Sequence, residues 1–276
     1  INPKYLPKLV GKNVTGAEYI IDDETVIAET GAEIFNCYLG NKASGWYSHA
    51  EGELTTASGQ SSHAEGGETT ASGTRSHAEG SHTIASSDCS HAEGNGTIAS
   101  GNHSHAEGYG TTASGKYSHA EGGGTTASDM YSHAEGSLTT ASGSYSHAEG
   151  SHTTASGDYS HAEGRYTIAQ RGCQHVQGSY NIADTGGSGV STYGNYIHIV
   201  GNGKSSTSRS NAHTLDWNGN AWFAGDVYVG GTGQYNAAAT KLLKENDLSC
   251  MTFKNYHGMP IEGWWRNMAC GNGVSG

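Results

Sequence analysis

Ten histidines recur at intervals of 14 residues without a slip: His49, His63, His77, His91, His105, His119, His133, His147, His161 and His175. In nine cases a carboxylate stands two positions later, at Glu51, Glu65, Glu79, Glu93, Glu107, Glu121, Glu135, Glu149 and Glu163; the tenth has the amide Gln177. Imidazole and carboxylate in such a pattern can exchange protons, share hydrogen bonds or bind a transition metal. The run Ser-His-Ala-Glu also offers the residue types of a hydrolytic triad. Neighbours along a strand point to opposite faces, however, so this Ser and His cannot act together. No non-repeating region holds the paired carboxylates of a glycosidase, and an enzyme has no use for ten copies of one active site. The chain is read as a non-enzyme, with a carbohydrate-cleaving site between subunits as a minor alternative.

The residues around the ladder set its geometry. Gly follows each His by three positions, from Gly52 to Gly178, and Ala by eight, from Ala57 to Ala183. The unit Ser-His-Ala-Glu-Gly-x-x-Thr-(Thr/Ile)-Ala-Ser-Gly-x-(Tyr) is seen at Ser132–Tyr145. Fourteen residues is too short for a helical repeat of ~34 and fits one coil of a β-solenoid with two short strands, Ser-His-Ala-Glu and Thr-Thr-Ala-Ser, each closed by Gly. The first Gly suggests a corner with positive φ or a close backbone approach. The second is looser, being replaced by Ser87, Asp129, Arg171 and Thr185. Alternation places Ala50, Thr55, Ala57 and their equivalents inward, and the His/Glu and Thr/Ile–Ser ladders outward. Ten coils ~4.8 Å apart predict a shaft of roughly 48 Å.

An interior of Ala and Thr is thin at ~25 cal/mol per Å², so a second interface is expected, with the His/Glu face as its surface. There each Glu would take a His donor from a neighbouring chain. Two other readings of the ladder stay open: metal ions on a threefold axis that gathers three imidazoles, and solvated side chains on a monomer. In the interface reading a neighbouring carboxylate raises the His pKa. The assembly is then expected to be most robust from mildly acid to neutral pH and to loosen in alkali.

Composition excludes several classes. Leu, Ile, Val and Phe number 33, about 12% of the 276 residues, below the ~20% usual for a globular core. Charged residues make up only 14%, Gly numbers 43 and Pro three. The net charge of −12 disfavours nucleic acid and anionic lipid as partners. No apolar run reaches the ~20 residues of a membrane span, and residues 1–14 lack the pattern of a signal peptide. Cys37, Cys89, Cys173, Cys250 and Cys270 form no CxxC pair, so neither a zinc site nor a disulfide framework is indicated.

The 14-residue Ser-x-Ala-x-Gly-x-x-(Ser/Thr)-x-Ala-x-Gly unit over residues 47–186 closely resembles the head repeats of trimeric autotransporter adhesins, a unit also found in bacteriophage tail-fibre and appendage proteins. The resemblance implies an all-β fold, a left-handed parallel β-roll or solenoid assembled as a homotrimer. Where that family places aliphatic side chains at the interface, this chain has His and Glu. The segment Asn211–Asp226 resembles the end of phage fibre shafts, with Asn218-Gly219 as a hairpin turn between Thr214–Trp217 and Ala221–Ala224. No segment resembles an autotransporter's membrane-anchor barrel.

The expected organisation is an N-terminal β cap or attachment segment (1–46), a ten-coil shaft (47–186), a shaft-closing β segment (187–230) and a β-rich C-terminal tip or connector (231–276). Tyr196–Gly201 reads as one further coil after an insertion, and Thr240–Asp247 as a short helix. Phe253, Tyr256, Trp264 and Trp265 make the last segment the most aromatic and are the expected receptor contacts. The resulting expectation is a structural and host-attachment protein: a trimeric phage-like fibre on a virion, contacting other fibre proteins and a bacterial surface glycan or protein receptor. No cofactor is expected beyond a metal ion on the trimer axis. A cell-surface adhesin is the main alternative. The regular Thr/Ser row makes an ice-binding solenoid a minor one.

Overall fold

An alanine at every seventh position leaves room for little more than backbone, so two short strands can close a narrow roll around it. This is the arrangement in the computed structural model, which describes residues 40–187, 189 and 192–225, together with the backbone of short strands outside them. Residues Ile1–Ala221 form one compact unit and Trp222–Gly276 a second.

The fold is an all-β parallel solenoid with 14-residue coils. Its larger sheet stacks His49–Glu53, His63–Gly67, His77–Ser81 and their successors through His175–Ser179. Register is strict: His77 lies beside His63 and His91, and Glu79 beside Glu65 and Glu93. The second sheet has ten strands of two residues each, from Lys42–Ala43 to Ile168–Ala169. The strands therefore differ from the sequence expectation. The first runs through its Gly instead of ending there, and the second is shorter than Thr-Thr-Ala-Ser.

Backbone conformation explains which glycines repeat without exception. Gly52, Gly66, Gly80 and their equivalents to Gly178 all have positive φ, from 93° to 111°. The dihedral is what distinguishes this column, because a Cβ comes close to the next coil in both: 2.2 Å from the Gly122 carbonyl oxygen at Gly108 and 1.9 Å from that of Gly115 at Gly101. The second glycine column lies outside the positive-φ region, and Ser87, Asp129 and Arg171 fit there. Two non-strand positions also turn through positive φ in most coils, as at Leu138 and Tyr145.

The interior is as thin as expected. Ala50, Ala57, Thr55 and their equivalents are fully buried, and so are the serines that precede the ladder histidines. Several of these serines brace a corner: Ser104 Oγ donates to the Gly101 carbonyl at 2.6 Å and Ser118 Oγ to that of Gly115 at 2.7 Å. The hydroxyls of Thr55, Thr69, Thr83, Thr97, Thr111, Thr125, Thr139 and Thr153 are buried without a hydrogen-bond partner.

Amides end the threonine column at both extremities. Asn41 accepts from the Thr55 amide and donates to the Gly52 carbonyl. Asn181 accepts from the Ile168 amide and donates to the carbonyls of Ile168 and Ile182. Beyond it the buried Asp184 accepts from the Tyr196 amide and the Gln174 side chain. These contacts anchor an inserted loop, after which Tyr196–Asn202 rejoins the sheet in parallel, with His175 beside His198. The further coil inferred from Tyr196–Gly201 is thus present in the larger sheet. Asn211–Asp216 then pairs antiparallel and ends the parallel stack.

The Asn218-Gly219 turn is also present: the Asp216 carboxylate accepts from the amides of Asn218 and Asn220, and Gly219 has φ +83°. Lys8–Val10, Glu18–Ile21 and Glu24–Ile27 form an antiparallel sheet. Glu33–Ile34 and Lys42–Ala43 already pair with the first repeat. The short helix expected over Thr240–Asp247 is corrected in part: Thr240–Leu242 is a strand, antiparallel to Val227–Val229. Its remaining residues lie outside those described, as do Phe253, Tyr256, Trp264 and Trp265.

Candidate functional site

A strict 14-residue register stacks like side chains at one strand spacing. On the larger sheet this produces a continuous file of imidazoles. From His63 to His147 successive rings lie 4.7–4.9 Å apart and within 6° of parallel. His49 meets His63 edge-on, and His198 extends the file with a tilt.

The glutamates form a second file beside the first. Each pairs with the histidine of the following coil in its own chain: Glu79 with His91 at 3.4 Å, Glu107 with His119 at 3.3 Å, Glu135 with His147 at 3.3 Å and Glu163 with His175 at 3.5 Å. The intermediate pairs, His105–Glu93, His133–Glu121 and His161–Glu149, are all at 3.5 Å. In the first coils the pairing instead falls within a coil, His49–Glu51 at 3.6 Å and His63–Glu65 at 3.7 Å. Within one chain, then, imidazole and carboxylate already meet between successive coils, mostly at distances longer than a good hydrogen bond. Gln177 keeps the contact where the carboxylate is missing, reaching His198 Nε2 at 3.3 Å.

These side chains are about one-third exposed, yet the Nε2 atoms of His77, His91, His105, His133, His161 and His175 are buried and make no well-formed hydrogen bond. Burial lowers the pKa of His77, His105, His133, His161 and His198, and the adjacent imidazoles lower it further; where glutamates oppose the shift, they do so less strongly. This corrects the expected rise. A carboxylate more than 3 Å away in a half-exposed file attracts the imidazolium less than lost hydration and two like neighbours disfavour it. Glu93 is held low, first by the neighbouring Glu79 carboxyl, which donates to it only while protonated.

The ladder does not assemble a hydrolase. Ser48, Ser76 and their equivalents are buried inside the roll, while the histidines face out. The one-residue offset that separates them was legible from strand alternation.

A second file escaped the sequence reading. His103, Tyr117, Tyr131, Tyr145 and Tyr159 stack in order with centroids 4.8–5.1 Å apart. His152, Tyr166 and Tyr180 form a shorter one, with Arg165 over the two tyrosines. The 14-residue spacing of the tyrosines was the available signal, but the surrounding positions vary enough to read as free turns.

Comparison with known families agrees with this geometry. Residues 50–76, 64–86, 92–118, 134–160 and 148–169 match the YadA head domain repeat, so the resemblance of the roll to trimeric autotransporter adhesin heads holds. No curated protein matches the chain.

Proposed function

We propose that this chain forms a homotrimeric fibre segment whose subunits meet along the His/Glu ladder and which carries a receptor-binding end to a bacterial surface. One observation carries the reading: a nearly unvarying file of half-buried His and Glu, with shielded and poorly satisfied Nε2 atoms, lies on a roll whose own interior is mostly Ala, Thr and Ser. Subunits packed on that face would bury the apolar edges of the imidazoles. Head repeats of the matched kind assemble as trimers.

The particle we favour is a phage-like tail fibre or appendage, non-enzymatic and located on the virion. Its support is the segment Asn211–Asp226, with its turn at Asn218-Gly219. In this reading residues 1–46 attach the fibre, 47–186 are its shaft, 187–230 close the shaft and 231–276 form the tip. Phe253, Tyr256, Trp264 and Trp265 would contact a surface glycan or protein. A cell-surface adhesin is the second reading, favoured by the adhesin-head repeat itself.

Native mass measurement tests the assembly: three times 28.6 kDa is expected, and a monomer at micromolar concentration overturns it. Immunogold labelling then separates the two particles. Label on virions supports the fibre, and label on the bacterial envelope the adhesin.

A further inference from the structure

The geometry points to a divalent transition-metal site built within one chain: the Nε2 of a ladder histidine and a carboxylate oxygen of the glutamate one coil earlier form a two-ligand edge for an ion of the zinc or nickel class, and the adjoining imidazole completes the set. The first argument is distance. Seven successive Nε2–Oε separations, from His91–Glu79 to His175–Glu163, fall between 3.3 and 3.5 Å. Two of these, His119–Glu107 and His147–Glu135 at 3.3 Å, are long hydrogen bonds; the other five lie further beyond the ordinary 2.7–3.2 Å of an N–H···O hydrogen bond. Two ligands held ~2.0–2.1 Å from one tetrahedral ion lie about 3.3 Å apart. The spacing suits a chelate edge better than a direct bond.

The second argument is unsatisfied chemistry. The Nε2 atoms of His77, His91, His105, His133, His161 and His175 are buried without a hydrogen-bond partner. The partly exposed glutamates beside them leave an approach for an ion. The ligand atoms of His77, Glu79 and His91 all lie within 4.8 Å of one another, as do those of His105, Glu107 and His119. Imidazole with carboxylate favours zinc, nickel or copper over magnesium or calcium.

Charge and spacing set the occupancy. The chain carries a net −12, and the ion pairs of the ladder glutamates among the described residues are with histidine. Bound dications would neutralise that file. Ions on adjacent coils would be only ~4.8 Å apart, and each set uses imidazoles from two coils. Every second coil is therefore filled, about five ions per chain for ten ladder histidines. The stacked rings of a set must tilt toward one another for both nitrogens to reach the ion. The ligands come from a single chain, so the site does not rest on the trimer reading.

The test uses the full chain, stripped with EDTA and exchanged into metal-free buffer at neutral pH. Zinc chloride is titrated by calorimetry, bound metal is counted by plasma mass spectrometry after equilibrium dialysis, and cobalt chloride reports ligand type by visible absorption. About five zinc ions per chain are expected, together with a nitrogen-ligated cobalt spectrum and no displacement by millimolar magnesium. The triple variant His77→Gln/Glu79→Gln/His91→Gln should lose about one ion. His82→Gln, outside the ladder, should lose none. The cobalt spectrum of the unsubstituted chain stands even where the triple variant fails to fold. Less than one zinc per chain at micromolar concentration, an oxygen-only cobalt spectrum, or an unchanged count in a folded triple variant overturns the proposal. Native mass before and after stripping separates the two readings. A monomer that still takes up zinc defeats the interface alone, and a trimer that takes up none defeats the metal site alone.

Discussion

Glycine 108 and glycine 123 sit fifteen residues apart in adjoining coils and should answer substitution in opposite ways. At Gly108 an alanine would have to adopt φ +107° with its Cβ 2.2 Å from the Gly122 oxygen. Positive φ costs a non-glycine about 1–2 kcal/mol and overpacking a further ~1–3, so Gly108→Ala should lower stability by about 3 kcal/mol. At Gly123 nothing lies within 4 Å of the added Cβ and φ is not positive. Gly123→Ala should be close to neutral. Thermal melts of the two variants check the contrast, and equal losses would refute the backbone account. Inside the roll Thr111 keeps its volume but hides an unpartnered hydroxyl. Replacing such a group by an apolar one of the same shape is close to neutral or stabilising. Thr111→Val should therefore hold or raise the melting temperature; a drop of several degrees would show that the hydroxyl is bonded after all.

The ladder as an element has an acid-sensitive side. Each lowered histidine, such as His105 between His91 and His119 with Glu93 and Glu107 beside it, is a base that resists protonation in the fold. Such a group stabilises fully above the unfolded value of ~6.5, and that stability is lost as pH falls through the folded value. Glu93, also held low, adds the same sign further into acid. A melting series in chelated buffer from about pH 8 to pH 4 should show stability falling below pH ~6.5 and no comparable loss in mild alkali. A profile that weakens in alkali instead would restore the opposite sign. The direction was not legible in the sequence, because the spacing of His and Glu shows that they are neighbours but not how far apart they stand or how much water they lose. The inward set of Ala50, Thr55 and Ala57 was legible, since alternation depends on backbone alone. The buried serines follow the same rule. The capping pair Asn41 and Asn181 did not show, because each stands at a repeat position whose occupant changes only once, where the stack ends.

At the scale of the described residues, the roll is a stack of closely similar junctions between two special ends. Its amide caps occupy the last repeat positions, while the inserted loop held by Asp184 and the antiparallel strand Asn211–Asp216 lie outside the repeat register. Deleting one complete coil, residues 105–118, brings His91 beside His119 in the pairing His105 had made. That variant should keep its strand content and melt close to the parent, shortened by ~4.8 Å. Deleting 13 residues instead leaves one surplus residue that a single junction must absorb, as the longer insertion before His198 is absorbed; that variant should melt below the whole-coil deletion, and thermal melts distinguish the two. The even register has a further consequence at the level of the gene. Any two repeats can recombine at matching positions and leave every junction as it was. A lineage carrying this roll can thus change its reach by inheritance in whole coils, while whatever stands at the two ends stays untouched by selection on length.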